Sequence, residues 1–379
     1  MKILADENIP KARELFSEHG SVKTFQGRDL TAEDLQDVDV LLVRSITEVN
    51  QSLLTGTDVK FVGTATIGMD HIDKSWLENQ GIGFSNAPGC NAIAVAEYVL
   101  SGLFYISTQF NLDLRTCKVG IIGAGNVGSA LAHRLDILGI PTVLNDPPLA
   151  EIDKDRNYVD YDELSTCNII SCHVPLTTKD DSQWPTEHMV NKSFLSKMTQ
   201  LQYFINTARG SVVNSSDLRG WLQENPDCEA ILDVWENEPD IDAELLEASL
   251  IATPHIAGHS HEGKVRGTAM LYQEFCRYFN LVSHLDMDQL LNDYQPKDRI
   301  QLKQDLNYMD AMSSAMWKVY DISHDDKALR AGLNKDMKTH FDRLRRGHKI
   351  RRECTAPRID EVSAPDGALK TLKQLGFKV

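Results

Sequence analysis

Short apolar runs alternate with polar, helix-forming stretches over the first ninety residues. Runs at 2–5, 38–43 and 60–64 read as buried parallel strands, and 11–19 and 74–80 as helices. That alternation predicts a βαβ layer with helices on both faces of a sheet. A long apolar segment starts at Ala92 and is interrupted only by Glu97. Taken as residues 92–106 it is too short for a bilayer and reads as a buried helix. A second series follows, with strands expected at 118–123, 142–145, 169–173, 202–206, 230–234 and 250–252. The pattern predicts two doubly wound, parallel-sheet domains of the Rossmann type. After residue 285 the periodicity turns polar and helical (299–323, 335–346), which predicts a third, α+β module with an accessory or subunit-contact role.

One motif sits where the second series begins. Val119-Gly120-Ile121-Ile122 leads into Gly123-Ala124-Gly125-Asn126-Val127-Gly128, a G-x-G-x-x-G between an apolar strand and a helical pattern. In such a loop Gly123 makes the tight turn, Gly125 lets backbone approach a pyrophosphate, and Gly128 allows close helix–strand packing. The amides of Asn126 and Val127 then open the helix facing the phosphates. Asp146 ends the next strand, where a carboxylate accepts from both adenine-ribose hydroxyls and repels a 2′-phosphate, so NAD is expected over NADP. The competing reading of Asp146 is the start of an Asp-Pro-Pro turn.

Three later strands end in groups that carry chemistry. Phe204-Ile205-Asn206-Thr207-Ala208-Arg209-Gly210 offers an arginine able to pair bidentately with a carboxylate. Ile231-Leu232-Asp233-Val234-Trp235-Glu236-Asn237-Glu238-Pro239 offers acids, and Thr253-Pro254-His255-Ile256-Ala257-Gly258 a histidine suited to acid–base work near neutral pH. Alone, each has a plain structural explanation. In this order behind a dinucleotide loop, they supply what an α-hydroxy-acid dehydrogenase requires.

Composition alters this picture in two ways. With 39 Lys and Arg against 55 Asp and Glu the chain carries a formal charge of −16, which argues against nucleic acid or an anionic membrane as partner. An anionic substrate then needs local cations. Arg44-Ser45 after one strand and the basic stretch 343–352 are candidates, the latter equally readable as a solvated helix face. The seven cysteines form no CxxC or CxxH grouping, so neither a disulfide framework nor a structural metal is expected, and a reducing cytoplasm is.

The run from Gly123 to Gly258 resembles the D-isomer-specific 2-hydroxyacid dehydrogenase family, through its glycine loop and the 206–210, 232–239 and 253–258 blocks. The resemblance implies Arg209, Glu238 and the proton-donating His255 as catalytic residues. It implies Val174, Thr207, Ala208, Asp233 and Gly258 as further cofactor contacts, Asp233 on the nicotinamide side. Glu236 is the tempting wrong choice of acid. The segment 86–99 with Arg44-Ser45 most resembles a branch of the family, in the pyridoxal-phosphate pathway, that acts on a phosphorylated four-carbon acid. Arg44, Ser45, Thr66, His259 and, from a partner subunit, Arg346 or its neighbour Arg345 are then the expected substrate residues. That branch implies a discontinuous flavodoxin-like substrate domain (1–97 and 257–285), an NAD domain (98–256) and a C-terminal dimerisation domain (286–379) of a homodimer. Two departures stand out: Val174 where the branch has threonine, and His259 where it has a tyrosine. A sibling acting on 3-phosphoglycerate, or a non-catalytic NAD-sensing scaffold, are the alternatives.

Overall fold

The structure is a computed structural model that describes residues 1–27, 29–292, 299–333, 335–349, 351–360, 365 and 367–379. Parts of the C-terminal range, and Ile350 of the basic stretch, lie outside the described residues. The chain packs as two units, Met1–Asn91 with Ser260–Gln295, and Ala92–His259 with Pro296–Val379.

In the first unit, β1 (Lys2–Asp6), β2 (Ser21–Phe25), β3 (Val40–Val43), β4 (Phe61–Thr64) and β5 (Gly83–Ser85) form a sheet in the order β2-β1-β3-β4-β5. All four pairings are parallel. The three central strands are the apolar runs of the sequence, and every residue of β3 is fully buried. The edge strands β2 and β5 were missed because each is covered only in part. Ser21, Lys23 and Thr24 of β2 face solvent, so no apolar run marks it. The His261–Tyr278 helix closes one face, where Tyr272 and Phe275 meet Phe16 and Phe61.

In the second unit, β6 (Val119–Ile122), β7 (Thr142–Asn145), β8 (Ile169–Cys172), β9 (Tyr203–Asn206), β10 (Glu229–Leu232) and β11 (Ile251–Ala252) form a parallel sheet in the order β11-β10-β9-β8-β6-β7. From β6 the chain steps outward to β7, then returns to β8 on β6's other side. This reversal opens a crevice at the carboxyl ends of β6 and β8, where ligands bind in such sheets.

The Ala92–Phe110 helix is the spine of the second unit. At 19 residues it is longer than the 92–106 stretch, and among the described residues it is the one helix long and apolar enough to cross a membrane. Its burial decides otherwise: 67% of the apolar window is covered, so it is a core helix. The C-terminal residues supply much of that cover. Met312, Ala315, Met316, Leu372 and Phe377 share one core with Val95, Val99 and Leu103. The α+β character expected there is corrected to a helical one, with helices Tyr308–Val319, Ile322–Arg330, Met337–Arg346 and Ala368–Gln374. Among the described residues of that region only isolated bridges form, Ile300 with Ile359 and Arg358 with Lys378. From Arg299 on, the described residues fall in the same compact unit as the nucleotide-binding fold.

Candidate active site

The glycine loop leaves β6 at the crevice. Gly123 has φ +90, and a Cβ there would lie 2.7 Å from the His173 carbonyl carbon and 2.9 Å from Val174 Cγ1. A Cβ on Gly128 would sit 2.0 Å from Gly123 O, whereas one on Gly125 meets nothing within 4 Å. Turn, open approach and close packing thus fall on Gly123, Gly125 and Gly128, the order a pyrophosphate requires. Gly125 caps the Asn126–Ile137 helix with no side-chain bond, so the first amides, Asn126 and Val127 among them, face the space over Gly125. Asp146 starts the Asp-Pro-Pro turn and also borders the glycine loop. Its Oδ1 accepts from Leu149 N (3.0 Å), capping a helix with proline in its first turn. Its Oδ2 accepts from Ala124 N (2.8 Å), which ties it to the glycine loop and leaves acceptor capacity for ribose hydroxyls.

The crevice continues over β8 and β9. His173 is bonded at both nitrogens, Nδ1 to Thr207 Oγ1 (2.9 Å) and Nε2 to Ser171 Oγ (2.9 Å). Burial pushes it down to about 3, so it is neutral and orients Thr207. Ala208 N donates to Asn206 Oδ1 (3.0 Å), fixing the turn that presents Arg209. A Cβ on Gly210 would strike Trp235 O at 1.9 Å, so the arginine's turn is seated directly on the Trp235–Glu238 loop.

That loop carries two acids with different work. Glu236 accepts from His188 Nε2 (2.6 Å) and from Ser215 N (2.7 Å), and so ties the loop to its surroundings. Glu238 accepts from Trp235 N (2.8 Å) and pairs with His255 Nδ1 at 2.7 Å. Burial pushes the Glu238 carboxyl up, yet it ends below its ordinary value. The charge and hydrogen bond of His255, the Trp235 amide and the charge of Arg345 outweigh burial. A carboxylate on Nδ1 leaves Nε2 as the atom for proton exchange.

His255 has φ +55, a conformation costly for a residue with a side chain. Asp233 holds it there. Asp233 O accepts from His255 N (2.7 Å), and its carboxylate accepts from Thr253 Oγ1 (2.6 Å), Ile256 N (2.8 Å) and Ala257 N (2.9 Å). Thr253 spends its one proton on Asp233, so Tyr98 donates to Thr253 Oγ1 (2.7 Å). Asp233 is therefore the keystone of the histidine loop, a role spacing does not announce. Gly258 and His259 follow on that loop, and the His259 ring meets that of His348 edge-on at 5.7 Å.

The first unit has its own cluster. Ala65 N donates to Val43 O (2.9 Å), so Arg44 and Thr66 leave neighbouring strand ends, with Ser45 exposed beside them. The Thr66 hydroxyl donates to Gly68 O (2.9 Å) and meets Thr64 Oγ1 (2.8 Å), which in turn meets His71 Nε2 (2.9 Å). Its side chain locks the turn, and backbone amides are what the turn offers an anion. The start of the His261–Tyr278 helix lies over these ends. Arg266 Nε donates to Cys90 O (2.9 Å), and a Cβ on Gly267 would lie 3.5 Å from Ala65 O. Lys264, one turn before Gly267, was missed by the sequence reading. Burial and the charge of Arg44 hold its ammonium below its ordinary value. No strand-end pattern marks a helical lysine. Arg346 is exposed, its Nε donating to Asp342 O (3.4 Å).

Residues 95–257 match the family D-isomer specific 2-hydroxyacid dehydrogenase, NAD binding domain, and residues 291–376 a domain of unknown function (DUF3410). The chain is 41% identical over 382 residues to erythronate-4-phosphate dehydrogenase from Hahella chejuensis, covering 100% of this chain and 99% of that one. It is 42% identical over 383 residues to the Escherichia coli O139:H28 enzyme of the same name (100% and 98%). Among solved structures, NAD+-bound 3-phosphoglycerate dehydrogenase of Entamoeba histolytica is similar with a TM-score of 0.62 at 24% identity, over 74% of this chain and 95% of that one. D-lactate dehydrogenase of Aquifex aeolicus, with NAD and lactic acid, gives 0.58 at 23% identity (77% and 98%). These two share the fold.

Proposed function

This chain belongs to the erythronate-4-phosphate dehydrogenase family of NAD-dependent 2-hydroxyacid dehydrogenases, and we propose that it oxidises 4-phospho-D-erythronate at C2 to (R)-3-hydroxy-2-oxo-4-phosphobutanoate, on the route to pyridoxal 5′-phosphate. The observation that carries this reading is the 2.7 Å Glu238–His255 pair, with the turn of Arg209 seated on the same loop.

The glycine loop, Asp146, Thr207 and the 257–258 backbone would hold NAD, which would supply the acceptor for the C2 hydride. Arg209 pairs with the substrate carboxylate and polarises the C2 oxygen. His255 takes the hydroxyl proton on Nε2, and Glu238, ionised and bonded to Nδ1, stabilises the imidazolium that results. On the first unit, Arg44 and Lys264 take an anionic end of the substrate, beside Ser45 and the amides of the Thr66 turn. Two cations that raise each other's cost are relieved together by a phosphate. His259 donates to a substrate hydroxyl or phosphate oxygen. The chain works as a cytoplasmic homodimer in which Arg346 serves the partner's phosphate site. The family resemblance supports the dimer, and seven free cysteines, six of them buried, suit a reducing compartment.

A panel of 4-phospho-D-erythronate, 3-phosphoglycerate, D-glycerate and D-lactate, followed by nicotinamide absorbance, tests the substrate. The phosphorylated four-carbon acid is expected to give the highest kcat/KM; a preference for 3-phosphoglycerate would overturn the assignment. Light scattering reads the dimer, and Arg346→Gln is expected to raise KM for the phosphorylated acid while leaving KM for NAD unchanged.

A further inference from the structure

The C-terminal residues match a domain of unknown function, and one of their side chains reaches the catalytic loop. Arg351 is buried, with 5% of its surface exposed. Its Nη2 donates to two carbonyls at once, Ala257 O at 2.8 Å and Ala94 O at 2.6 Å. Its guanidinium lies over the Tyr320 ring, 4.0 Å from the centroid. Nε and Nη1 are buried and meet no hydrogen-bond acceptor among the described residues. The Tyr320 face, with the nearby carboxylates of Glu97 and Asp325, keeps the charge tolerable. A buried arginine used this way is expensive for stability alone, since an apolar side chain of similar volume would fill the space at lower desolvation cost.

The two carbonyls explain the expense. Ala94 belongs to the first turn of the Ala92–Phe110 helix, a fixed element. Ala257 lies two residues after His255 and one before Gly258, in a loop strained by the φ of His255. Its peptide N–H is already taken by Asp233 Oδ2 (2.9 Å). Arg351 holds the carbonyl two bonds further on, so Ala257 is pinned from the sheet side by Asp233 and from the C-terminal side by Arg351. The segment touches the same region twice more. His348, whose Nε2 meets Asp325 Oδ2 at 3.2 Å, abuts His259, and Cys354 N donates to Glu97 Oε1 at 3.0 Å.

We infer that the C-terminal region braces the catalytic loop, with Arg351 as a positioning residue that fixes His255 and Gly258 for hydride transfer. It rests on the dehydrogenase reading above. A loop free to shift by an ångström loses roughly 10²-fold in rate, because hydride and proton transfer both require close approach.

The test is single-turnover hydride transfer in the full-length enzyme, followed at the nicotinamide absorbance with saturating NAD and 4-phospho-D-erythronate. Arg351→Met keeps volume and removes both hydrogen bonds. Arg351→Lys keeps charge and loses the planar fork. The rate constant is expected to fall about 10- to 100-fold in the first and less in the second, with the Kd for NAD within about threefold of wild type. Misfolded molecules reduce the amplitude and leave the rate constant of the remainder untouched. A loss confined to amplitude therefore overturns the inference, as does failure of both variants to fold, which would make the arginine a folding residue only. If wild type itself transfers no hydride from the phosphorylated acid, the substrate assignment has failed; the variants are then compared on the 2-hydroxy acid that the panel identifies.

Discussion

At the scale of single residues, the site distinguishes two glutamates that stand two positions apart. Glu236 is tied to His188 and the Ser215 amide, while Glu238 meets His255. Glu238→Gln keeps the shape and removes the charge that stabilises the imidazolium, so kcat should fall about 10²-fold or more. Glu236→Gln should change it by less than about threefold, and equal losses in the two variants would contradict the division of roles. Lys264 makes a second case. Lys264→Met removes a cation that Arg44 already opposes, so the apoprotein should lose no stability, measured by denaturant midpoint. KM for the phosphorylated acid should rise about 10-fold or more at nearly constant kcat, the mark of lost binding shared by ground and transition states. An unchanged KM would remove Lys264 from the site.

At the scale of elements, the loop between β6 and the Asn126–Ile137 helix separates packing from binding. Gly125 has φ −69 and open space where a side chain would begin, while a Cβ on Gly128 would collide with Gly123 O. Gly125→Val should therefore fold with near-normal stability and bind NAD at least about 100-fold more weakly, read by nicotinamide fluorescence titration. Gly128→Ala should lose about 1–3 kcal/mol of unfolding free energy through overpacking. The reverse pattern would mean that the loop's glycines have been assigned in the wrong order. The motif was legible because its chemistry is local: one strand, one turn and one helix start. The edge strands β2 and β5 were illegible for the converse reason, since a strand covered in part carries no run of apolar residues.

At the scale of the molecule, global stability should report on Glu97, the one charge in the apolar helix. In the structure its Oε1 accepts from Cys354 N, and its carboxyl is raised to about 7, mainly by burial and then by the nearby Glu353. The folded form thus holds its proton up to higher pH than the unfolded chain, whose carboxyl ionises near 4.5. Between those values the folded state binds more protons, so this contribution falls as pH rises and levels off above about 7. Glu97→Gln removes the ionisation and keeps the acceptor. It should gain stability over wild type from pH 5 to pH 8, by an amount on the order of 3 kcal/mol at most. Denaturant unfolding at the two pH values checks this, and a gain independent of pH would point to packing instead.

The sequence alone was sufficient for whatever depends on neighbours in the chain. The glycine loop, the strand-end Asp146 and the 206–210, 232–239 and 253–258 blocks each carry their geometry within a few residues, and so do the apolar runs of the buried strands. Only tertiary structure could decide what depends on residues far apart. Asp233 as the keystone of the 253–257 loop, the charge of Arg44 acting on Lys264, and Arg351 on the carbonyl of Ala257 are interactions across 20 to 220 positions. No local propensity encodes them, because a hydrogen bond or an electrostatic pairing between distant segments exists only once packing has brought them together. The C-terminal region is the clearest instance. Its periodicity predicted helices, whereas their burial against the Ala92–Phe110 helix is visible only in the structure.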